Sequence, residues 1–522
     1  MDALGSWYPL LVASVVLAFL VWRAVYNLFF HPLAKIPGPW LPALTTWYEA
    51  YFDCFRKGGG QLPFQLQKLH DVYGPIIRPA PNHVHISDPS YLDTIYAQRS
   101  RNAIVNEGMV VDRSMGGAED FELHRIRKDA MSPFFSQKAV IGLESLMAEK
   151  NGKVARILHI AAESGHTVNL SDIFFAYSND VVRSYSFGSD GNLLDDLQEA
   201  KRQRTNLAQL LLGVNVRRHF TAFFRILSKV MLALFGDKAI PLAMRDIIRF
   251  KQDTRQRITA VLADNDTSQK GRYSVFHELK DSSILPPEEK TIGRLEDEAM
   301  LLVMAGTESP AKSLGIAAFY LLHQPEVMNK LRSEIADARR RQGRTLSLVD
   351  LLALPYLSAV LTEANRLSFG VTNRMSRYSP NETLRYTASS GPHQGTTYAL
   401  PPKTPLSTVT YCTHTDETLY PQPHRFDPSR WIVDPDNPGN DEAAVNRRKR
   451  CMVALGKGHR RCLGISLANA SMSLLIAELA GYDMVLVDTD ERDVKFQYDF
   501  QISHPRLDSK GVQVKVEAVH SF

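Results

Sequence analysis

The sequence predicts a membrane-anchored protein whose large body contains buried helices and a small β region. Residues 7–30 form an apolar run that is long enough to span a bilayer, which takes about 20 residues. Residues 300–305 are apolar on all sides, as in a helix that is buried in a protein core. Residues 76–78 and 83–86 flank a Pro-Ala-Pro-Asn segment, which predicts a pair of short strands.

The composition is that of an ordinary globular protein with ample material for a core. The chain has 522 residues, of which 44% are hydrophobic and 22% charged. Length alone would allow about three domains. The net charge of +5 is too small to indicate a nucleic acid partner. The cysteines are too few for a disulfide scaffold and suit a reducing compartment; they are Cys54, Cys412, Cys451 and Cys462.

Charges around the N-terminal apolar run indicate how it is oriented. Only Asp2 precedes the run, whereas Arg23 and Lys35 lie in or after its second half. A cleaved signal peptide would carry basic residues before the apolar run, and a buried core helix would be unusual at the very start of a chain. We therefore expect a transmembrane anchor at residues 7–30, with the N-terminus away from the cytoplasm and the body in the cytosol.

A proline-rich linker is expected to follow the anchor at residues 31–42. Its prolines cannot continue a helix, and each restrains the residue before it. Further on, the predicted strand pair carries two alternating histidines, His83 and His85. Such a pair could bind a metal, but we expect both side chains to face solvent.

One cysteine, Cys462, lies in a loop that is rich in glycine and basic residues. A thiolate is a soft metal ligand, and positive charge from Arg460 and Arg461 would favour it at neutral pH. The glycines permit backbone angles and close approaches that a side chain would block; they are Gly456, Gly458 and Gly464. The loop therefore predicts a cysteine ligand pressed against a flat cofactor.

Two other interpretations of this loop remain open at the level of residues. Cys462 could be a buried structural cysteine. Alternatively, Cys451, His459 and Cys462 could belong to a zinc loop. Zinc takes about four well-spaced ligands, and no paired Cys/His set occurs elsewhere in the chain.

The apolar helix at residues 300–305 runs into residues that are unfavourable in a helix interior. Gly306 costs about 1 kcal/mol and Pro310 about 3 kcal/mol relative to alanine. One helix could end at Gly306 and another begin with Ser309 as its cap. Alternatively, one long helix is locally opened here, and Glu308 and Ser309 pass protons to a reacting group.

Three motifs resemble those of the cytochrome P450 family, and they follow one another along the chain in the order that the family shows. Residues 455–464 resemble its haem-ligand signature, Phe-x-x-Gly-x-Arg-x-Cys-x-Gly, except that leucine stands in the place of phenylalanine. Residues 305–309 resemble its oxygen-activation motif, with Ser309 in place of threonine. Glu363 and Arg366 between them resemble its core ion pair, for which Arg425 is the expected third partner.

The resemblance implies a haem b cofactor with Cys462 as its axial thiolate ligand and sole protein ligand to the iron. Glu308 and Ser309 would supply protons for oxygen cleavage. Residues 124–128 resemble the family's helical element that holds a haem propionate. Here His124 stands at the start of that element and Lys128 at its end. The implied cofactor-binding residues, besides the cysteine, are His124, Lys128, Arg377, Arg460, Gly456 and Gly464.

The fold implied by the resemblance is mainly α with a small β region, built as one catalytic domain over residues 43–522. The implied enzyme is a monooxygenase that inserts one oxygen atom from O2 into a lipophilic secondary metabolite of terpenoid or polyketide type. The sequences of residues 124–136 and 505–511 are similar to those of fungal microsomal members of the trichodiene-oxygenase type. The body would lie at the endoplasmic reticulum membrane.

Electrons are expected from NADPH through a separate cytochrome P450 reductase, because the chain has no nucleotide fingerprint. The basic residues 446–450 could dock this reductase or form a solvated surface. Residues 206–243 could pack in the core or form a pocket roof that dips into the membrane. Two other classes of function remain: a haem-thiolate isomerase or dehydratase, and a non-catalytic membrane haem-binding protein.

Overall fold

Helices dominate the chain in the computed structural model, which describes residues 3–104, 111–188, 191–236, 242–263 and 274–520. The predicted mainly α fold with a small β region is confirmed. The helices are α1 (Ala3–Val25), α2 (Trp40–Leu44), α3 (Trp47–Ala50), α4 (Leu62–Tyr73), α5 (Leu92–Ile95), α6 (Phe121–Met131), α7 (Gln137–Ile141), α8 (Glu144–Ser164), α9 (Leu170–Phe187), α10 (Leu197–Leu212), α11 (Val214–His219), α12 (Thr221–Phe235), α13 (Leu242–Ala263), α14 (Val275–Asp281), α15 (Ile292–His323), α16 (Pro325–Gln342), α17 (Leu348–Leu352), α18 (Pro355–Ser368), α19 (Thr410–His414), α20 (Glu442–Cys451) and α21 (Ile465–Leu479).

Short strands form four small sheets beside the helices. Their order is β1-β2-β8-β5-β3 in the largest sheet, β4-β12-β9 in a second, and the pairs β6-β7 and β10-β11 in the others. The strands are β1 (Ile76–Ala80), β2 (His83–Ile86), β3 (Asn102–Ala103), β4 (Thr167–Asn169), β5 (Arg377–Tyr378), β6 (Leu384–Thr387), β7 (Thr397–Leu400), β8 (Leu406–Ser407), β9 (Tyr482–Leu486), β10 (Tyr498–Phe500), β11 (Ile502–His504) and β12 (Gln513–Val519). The predicted pair β1 and β2 is antiparallel, with Ile76 opposite Ile86.

The prediction that His83 and His85 face solvent is wrong. His85 is fully buried, with its Nδ1 2.6 Å from Nε2 of His70, and its Nε2 accepts a hydrogen bond from the backbone of Val409. His83 lies 2.7 Å from the hydroxyl of Ser407. Burial lowers the pKa of His70 to about 4, so the histidine pair is neutral at physiological pH. These side chains are core hydrogen-bonding groups.

The N-terminal helix stands clear of the body. α1 continues into a π-helical segment, Tyr26–Phe30, and the stretch Leu10–Phe30 has a mean hydropathy of 1.9 with almost none of it buried. It is long and apolar enough to cross a membrane. The linker then packs on the sheet, because the carbonyl of Pro37 accepts a hydrogen bond from the amide of Arg78 at 2.8 Å.

The central element is α15, a 32-residue helix that runs continuously through Gly306 and Pro310. The interpretation as two helices separated at Gly306 is therefore wrong. Gly306 is required by packing against α9, because a Cβ there would lie 2.7 Å from a methyl carbon of Val182. The close approach fixes the position of α15 where the predicted proton-transfer residues lie.

Residues 206–243 contain the end of α10, then α11 and α12, and the first two residues of α13; residues 237–241 lie outside the described parts of the chain. Large apolar side chains of α12 point outward and are more than half exposed, namely Phe223, Ile226, Leu234 and Phe235. Core packing is therefore the wrong interpretation of α12. Nearby, the exposed ring of Trp47 in α3 lies 5.6 Å from that of Phe220.

A fully buried ion network surrounds Glu363 in α18. Both of its carboxylate oxygens accept hydrogen bonds from Arg366 at 2.8 Å, and a second guanidinium, from Arg430, lies 3.0 Å away. The indole of Trp431 donates to the same carboxylate at 2.9 Å. Burial raises the pKa of Glu363, but the two arginines and these hydrogen bonds outweigh it and hold the pKa below its ordinary value.

The predicted Glu363–Arg366 pair is thus confirmed, whereas the predicted third partner is wrong. Arg425 contributes its backbone carbonyl, which accepts from Arg366 at 3.3 Å, and Arg430 supplies the guanidinium. The network also reaches the cysteine loop, because Arg366 donates to the carbonyl of His414 and the imidazole of His414 accepts from the amide of Val453.

Replacement of Glu363 by glutamine should strongly destabilise the protein, because two buried guanidinium groups would lose their counter-charge. We expect a loss of about 3–5 kcal/mol in the free energy of unfolding. The measurement is denaturant unfolding of the detergent-solubilised protein. Glu122→Gln is the matched control, because its ion pair with Arg125 is solvent-exposed and should contribute little to stability. Equal effects of the two changes would contradict the prediction.

Candidate haem site

The cysteine loop is closed by its own backbone. The amide of Cys462 donates to the carbonyl of Leu455 at 2.8 Å. Gly456 and Gly458 both have a left-handed φ, 69° and 70°, and a Cβ on Gly458 would lie 2.0 Å from the carbonyl oxygen of Tyr96. Glycine at 458 is therefore needed both for the turn and for its packing.

Positive charge and backbone dipoles surround the Cys462 sulfur. Burial raises the pKa of the thiol, whereas the amide of Gly464, the ammonium group of Lys128 and the guanidinium of Arg461 act in the opposite direction. Lys128, in α6, donates to the carbonyl of His459 at 2.5 Å and to that of Arg461 at 3.3 Å. Lys128 thus stabilises the loop itself, and the predicted propionate contact would use its remaining donor.

Four basic side chains lie together beside the loop and form no ion pair with a carboxylate among the described residues; they are His124, Arg377, His459 and Arg460. Asp120 and Glu119 act on Arg460 only at longer range. Nδ1 of His124, Nε2 of His459 and Nε of Arg460 are buried atoms that form no hydrogen bond. Burial, together with the neighbouring charges, lowers the pKa of His124 to about 2 and that of Arg460 to about 9. A buried cluster of this kind is suited to an anionic group with several acceptor oxygens.

His459 is a member of this cluster that the motif comparison did not single out. Its ring lies 5.3 Å from that of His124 and 4.5 Å from that of Phe121. In the sequence, His459 was considered only as a possible zinc ligand together with Cys451 and Cys462. Among the described residues no group of three His, Cys, Asp or Glu side chains is arranged to hold a metal ion, so the zinc loop is not supported.

One face of α15 is open in the middle of the protein. Ala305 and Ser309 are four residues apart, share this face, and are exposed although most residues of the helix as a whole are buried. Thr307 lies on another face, where its hydroxyl donates to the carbonyl of Val303 at 2.6 Å. Small residues at 305 and 309 leave room for a large planar group beside the helix.

The predicted acid, Glu308, is paired electrostatically with a residue that sequence reasoning missed. Lys312 is four residues further along α15, so the two side chains share a helix face. Burial raises the pKa of Glu308, an effect that Lys312 and Arg204 oppose. Burial also lowers the pKa of Lys312 to about 8. The spacing of four from the acid is the signal that could have identified this lysine.

Comparisons with known proteins agree with this geometry. The family model described as "Cytochrome P450" matches residues 42–495. The chain belongs to the cytochrome P450 family. The cytochrome P450 monooxygenase tpcC of Cochliobolus heterostrophus is 32% identical over 97% of this chain and 96% of its own length. TRI4, a cytochrome P450 monooxygenase of Fusarium sporotrichioides, is 32% identical over 95% of this chain and 92% of its own length. The conidiogenone synthase PchP450 of Penicillium rubens is 30% identical over 97% of this chain and 98% of its own length.

Membership confirms the predicted resemblance to fungal P450 enzymes, the haem cofactor and the monooxygenase class. The residues fit this cofactor. A haem carries two carboxylates at one edge, and the unpartnered donors of the basic cluster can hold such groups. The free thiol of Cys462 is exposed in its loop and can act as a sulfur ligand, and the small residues on α15 leave space on another side. The isomerase and the non-catalytic interpretations gain no support from these relatives.

Replacement of Gly458 by alanine should impair haem incorporation, because the new methyl group would overlap the Tyr96 carbonyl. Gly343→Ala is the matched control: its φ is also left-handed, at 63°, but no atom lies within 4 Å of the added carbon. The measurement is the ratio of haem to protein after purification, with a several-fold decrease expected for Gly458→Ala only. Equal ratios in both variants would contradict the packing argument.

Proposed function

We propose that Cys462 is the axial thiolate ligand of the haem iron. The observation that carries the proposal is the cluster of His124, Arg377, His459 and Arg460 beside the Cys462 loop. Three buried nitrogens of this cluster, Nδ1 of His124, Nε2 of His459 and Nε of Arg460, have no hydrogen-bond partner among the described residues. When bound, the haem activates O2, and a thiolate ligand donates electron density that favours cleavage of the O–O bond. The chain's own residues bind the cofactor, position it and move protons.

The cofactor edge is held by basic side chains. His124, Arg377 and Arg460 bind the propionates, together with the remaining donor of Lys128 and the imidazole of His459. Gly456 and Gly464 would allow the loop to lie close to the cofactor, because neither carries a side chain that could project toward it. Desolvated guanidinium groups gain strong charge-assisted hydrogen bonds from such carboxylates.

Protons reach the reacting oxygen through Glu308 and Ser309. The hydroxyl of Ser309 lies on the open face of α15. Burial raises the pKa of the Glu308 carboxyl, and this direction favours a group that must accept a proton as well as release one. Lys312 keeps the pKa of Glu308 from rising further. Lys312 acts through Glu308 and is therefore a positioning residue.

The substrate is a lipophilic secondary metabolite of terpenoid or polyketide type. The support for an apolar substrate is the exposed apolar face of α12, which suits contact with the membrane in which such a molecule dissolves. Residues 7–30 are the anchor, 31–42 the linker and 43–522 the catalytic domain. On this assignment the body lies on the cytosolic face of the endoplasmic reticulum membrane, as the charges around the anchor indicate.

NADPH electrons are delivered by a separate cytochrome P450 reductase. Arg447, Lys449 and Arg450 in α20 are exposed and offer a basic surface close to the cysteine loop. Arg448 is buried and donates to the carbonyl of Leu419, so it belongs to the fold rather than to this surface. A basic patch of this kind steers an acidic redox partner.

The thiolate assignment predicts a red-shifted Soret band in the carbon monoxide complex of the reduced protein. Native protein and Cys462→Ala are compared, with Cys451→Ala as the control because Cys451 is buried in a hydrophobic cluster. The band should be present in native protein and in Cys451→Ala and absent from Cys462→Ala, since only Cys462 would supply the sulfur. Haem-loaded native protein without the shifted band would overturn the assignment.

Lys312 should give product formation an alkaline limit. As the pH rises through about 8, Lys312 loses its charge, the pKa of Glu308 rises further, and proton delivery slows. Lys312→Met should remove this limb and lower the fraction of NADPH used for product at every pH. Lys312→Arg should keep that fraction high to a higher pH, because arginine stays charged. An unchanged alkaline limb in Lys312→Met, measured with reductase and a turned-over substrate, would refute the role of Lys312.

A further inference from the structure

A cavity of about 350 Å³ lies among α9, α10, α13 and α15. At 3.6 residues per turn, its α15 residues Val303 and Thr307 lie on the side opposite Ser309, and Met304, also in the lining, lies one turn before Glu308. The residues assigned to the candidate haem site, including Cys462, Glu308 and Ser309, are not among those that line the cavity. Its wall is mostly apolar and includes Phe175, Leu207, Leu210, Phe250, Val303 and Met304.

The positive and negative side chains that line the cavity form ion pairs with one another. Three arginines and three carboxylates contribute to the lining. Arg202 lies 2.7 Å from Asp246, and Arg183 lies 2.9 Å from Asp253. Because these charges are already paired, the cavity provides no excess charge for an ionic ligand, and an uncharged molecule would enter with the lower desolvation cost.

One buried polar group faces the cavity with an unused acceptor. Asn179 is only 7% exposed and its amide nitrogen donates to the hydroxyl of Thr307 at 3.1 Å. The Thr307 hydroxyl donates to Val303, so it must accept from Asn179, and this fixes the orientation of the amide. In the described parts of the chain no donor reaches Oδ1 of Asn179. This acceptor is therefore available at the cavity, and a ligand hydroxyl can donate to it.

We propose that this cavity is a second binding site, which takes an uncharged, mainly apolar molecule that carries a hydroxyl group. The volume lies at the lower end of the range for small-molecule sites, which begins at about 300 Å³. The hydroxyl donates to Oδ1 of Asn179, and the apolar body packs on Leu207, Phe250 and Met304. A hydroxylated apolar molecule is also the class of product that oxygen insertion into a hydrocarbon yields.

The test uses detergent-solubilised holoenzyme whose haem site is saturated with an iron-ligating azole, which the shift of its Soret band verifies. Cyclododecanol is titrated calorimetrically, and the heat of its partition into detergent alone is subtracted. One equivalent should bind in the presence of the azole. Cyclododecanone, which has a similar shape but no donor, should bind about 3- to 10-fold more weakly, the value of one hydrogen bond. Loss of cyclododecanol binding when the azole is present would overturn the proposal.

Variants then locate the site. Leu207→Trp fills the cavity and should abolish azole-independent binding, whereas Gln209→Trp, on the exposed face of the same helix, should leave it unchanged. Asn179→Leu should reduce the affinity for cyclododecanol to that for cyclododecanone. Unaltered binding to Leu207→Trp, or an undiminished preference for the alcohol in Asn179→Leu, would exclude this cavity as the site. The carbon monoxide spectrum of each variant verifies that it is folded.

Discussion

The buried carboxylate of Glu363 is the interaction on which the arrangement of the site depends. It joins α18 to the segment around Arg430 and Trp431, and through Arg366 and His414 it reaches the backbone that leads into the cysteine loop. His414 must be neutral for this, because its Nε2 accepts from an amide, and burial lowers its pKa to about 3. A network of this kind is stable only when every member is satisfied, so it fixes one geometry for the loop.

The basic cluster beside the loop has the opposite character. His124, Arg377 and Arg460 are held close together and form no ion pair with a carboxylate among the described residues. Burial and the neighbouring Arg377 lower the pKa of Arg460 to about 9, although Asp120 and Glu119 oppose this. Such an arrangement costs folding free energy unless an anion compensates it. On the proposed assignment the haem propionates do so, and cofactor binding therefore contributes to the stability of the folded chain. The Glu363 network supplies the rigidity against which the basic groups are held.

Local spacing explains which parts of the fold and site were predictable. The pair Glu363–Arg366 is three residues apart on one helix, so its contact follows from helix geometry. The pairing of β1 with β2 could be predicted because two short strand-like runs flank a turn-forming Pro-Ala-Pro-Asn segment. Arg430 and Arg425 lie in an irregular segment, where the direction of a side chain depends on the turns between them, and sequence reasoning chose the wrong arginine.

Burial that arises from tertiary packing was not readable from the sequence. His85 alternates with apolar residues as an exposed strand residue would, but α4 covers it with His70. Arg448 looks like one member of a basic run, yet its guanidinium donates to carbonyls of the neighbouring segment. His459 joins the basic cluster because α6 brings His124 against the loop. In each case the deciding partner lies on a different element from the residue itself.

The two faces of α15 are constrained differently, and this determines what the helix can do. At Gly306 the helix touches Val182 of α9 so closely that no side chain fits, and Thr307 accepts a hydrogen bond from Asn179 of the same neighbour. Four residues after Gly306, Pro310 offers no amide to the carbonyl of Gly306. The helix is thus held on the α9 side, while one carbonyl near Glu308 and Ser309 has no helical donor. A carbonyl of this kind can bind water beside the acid and the hydroxyl without movement of the helix as a whole.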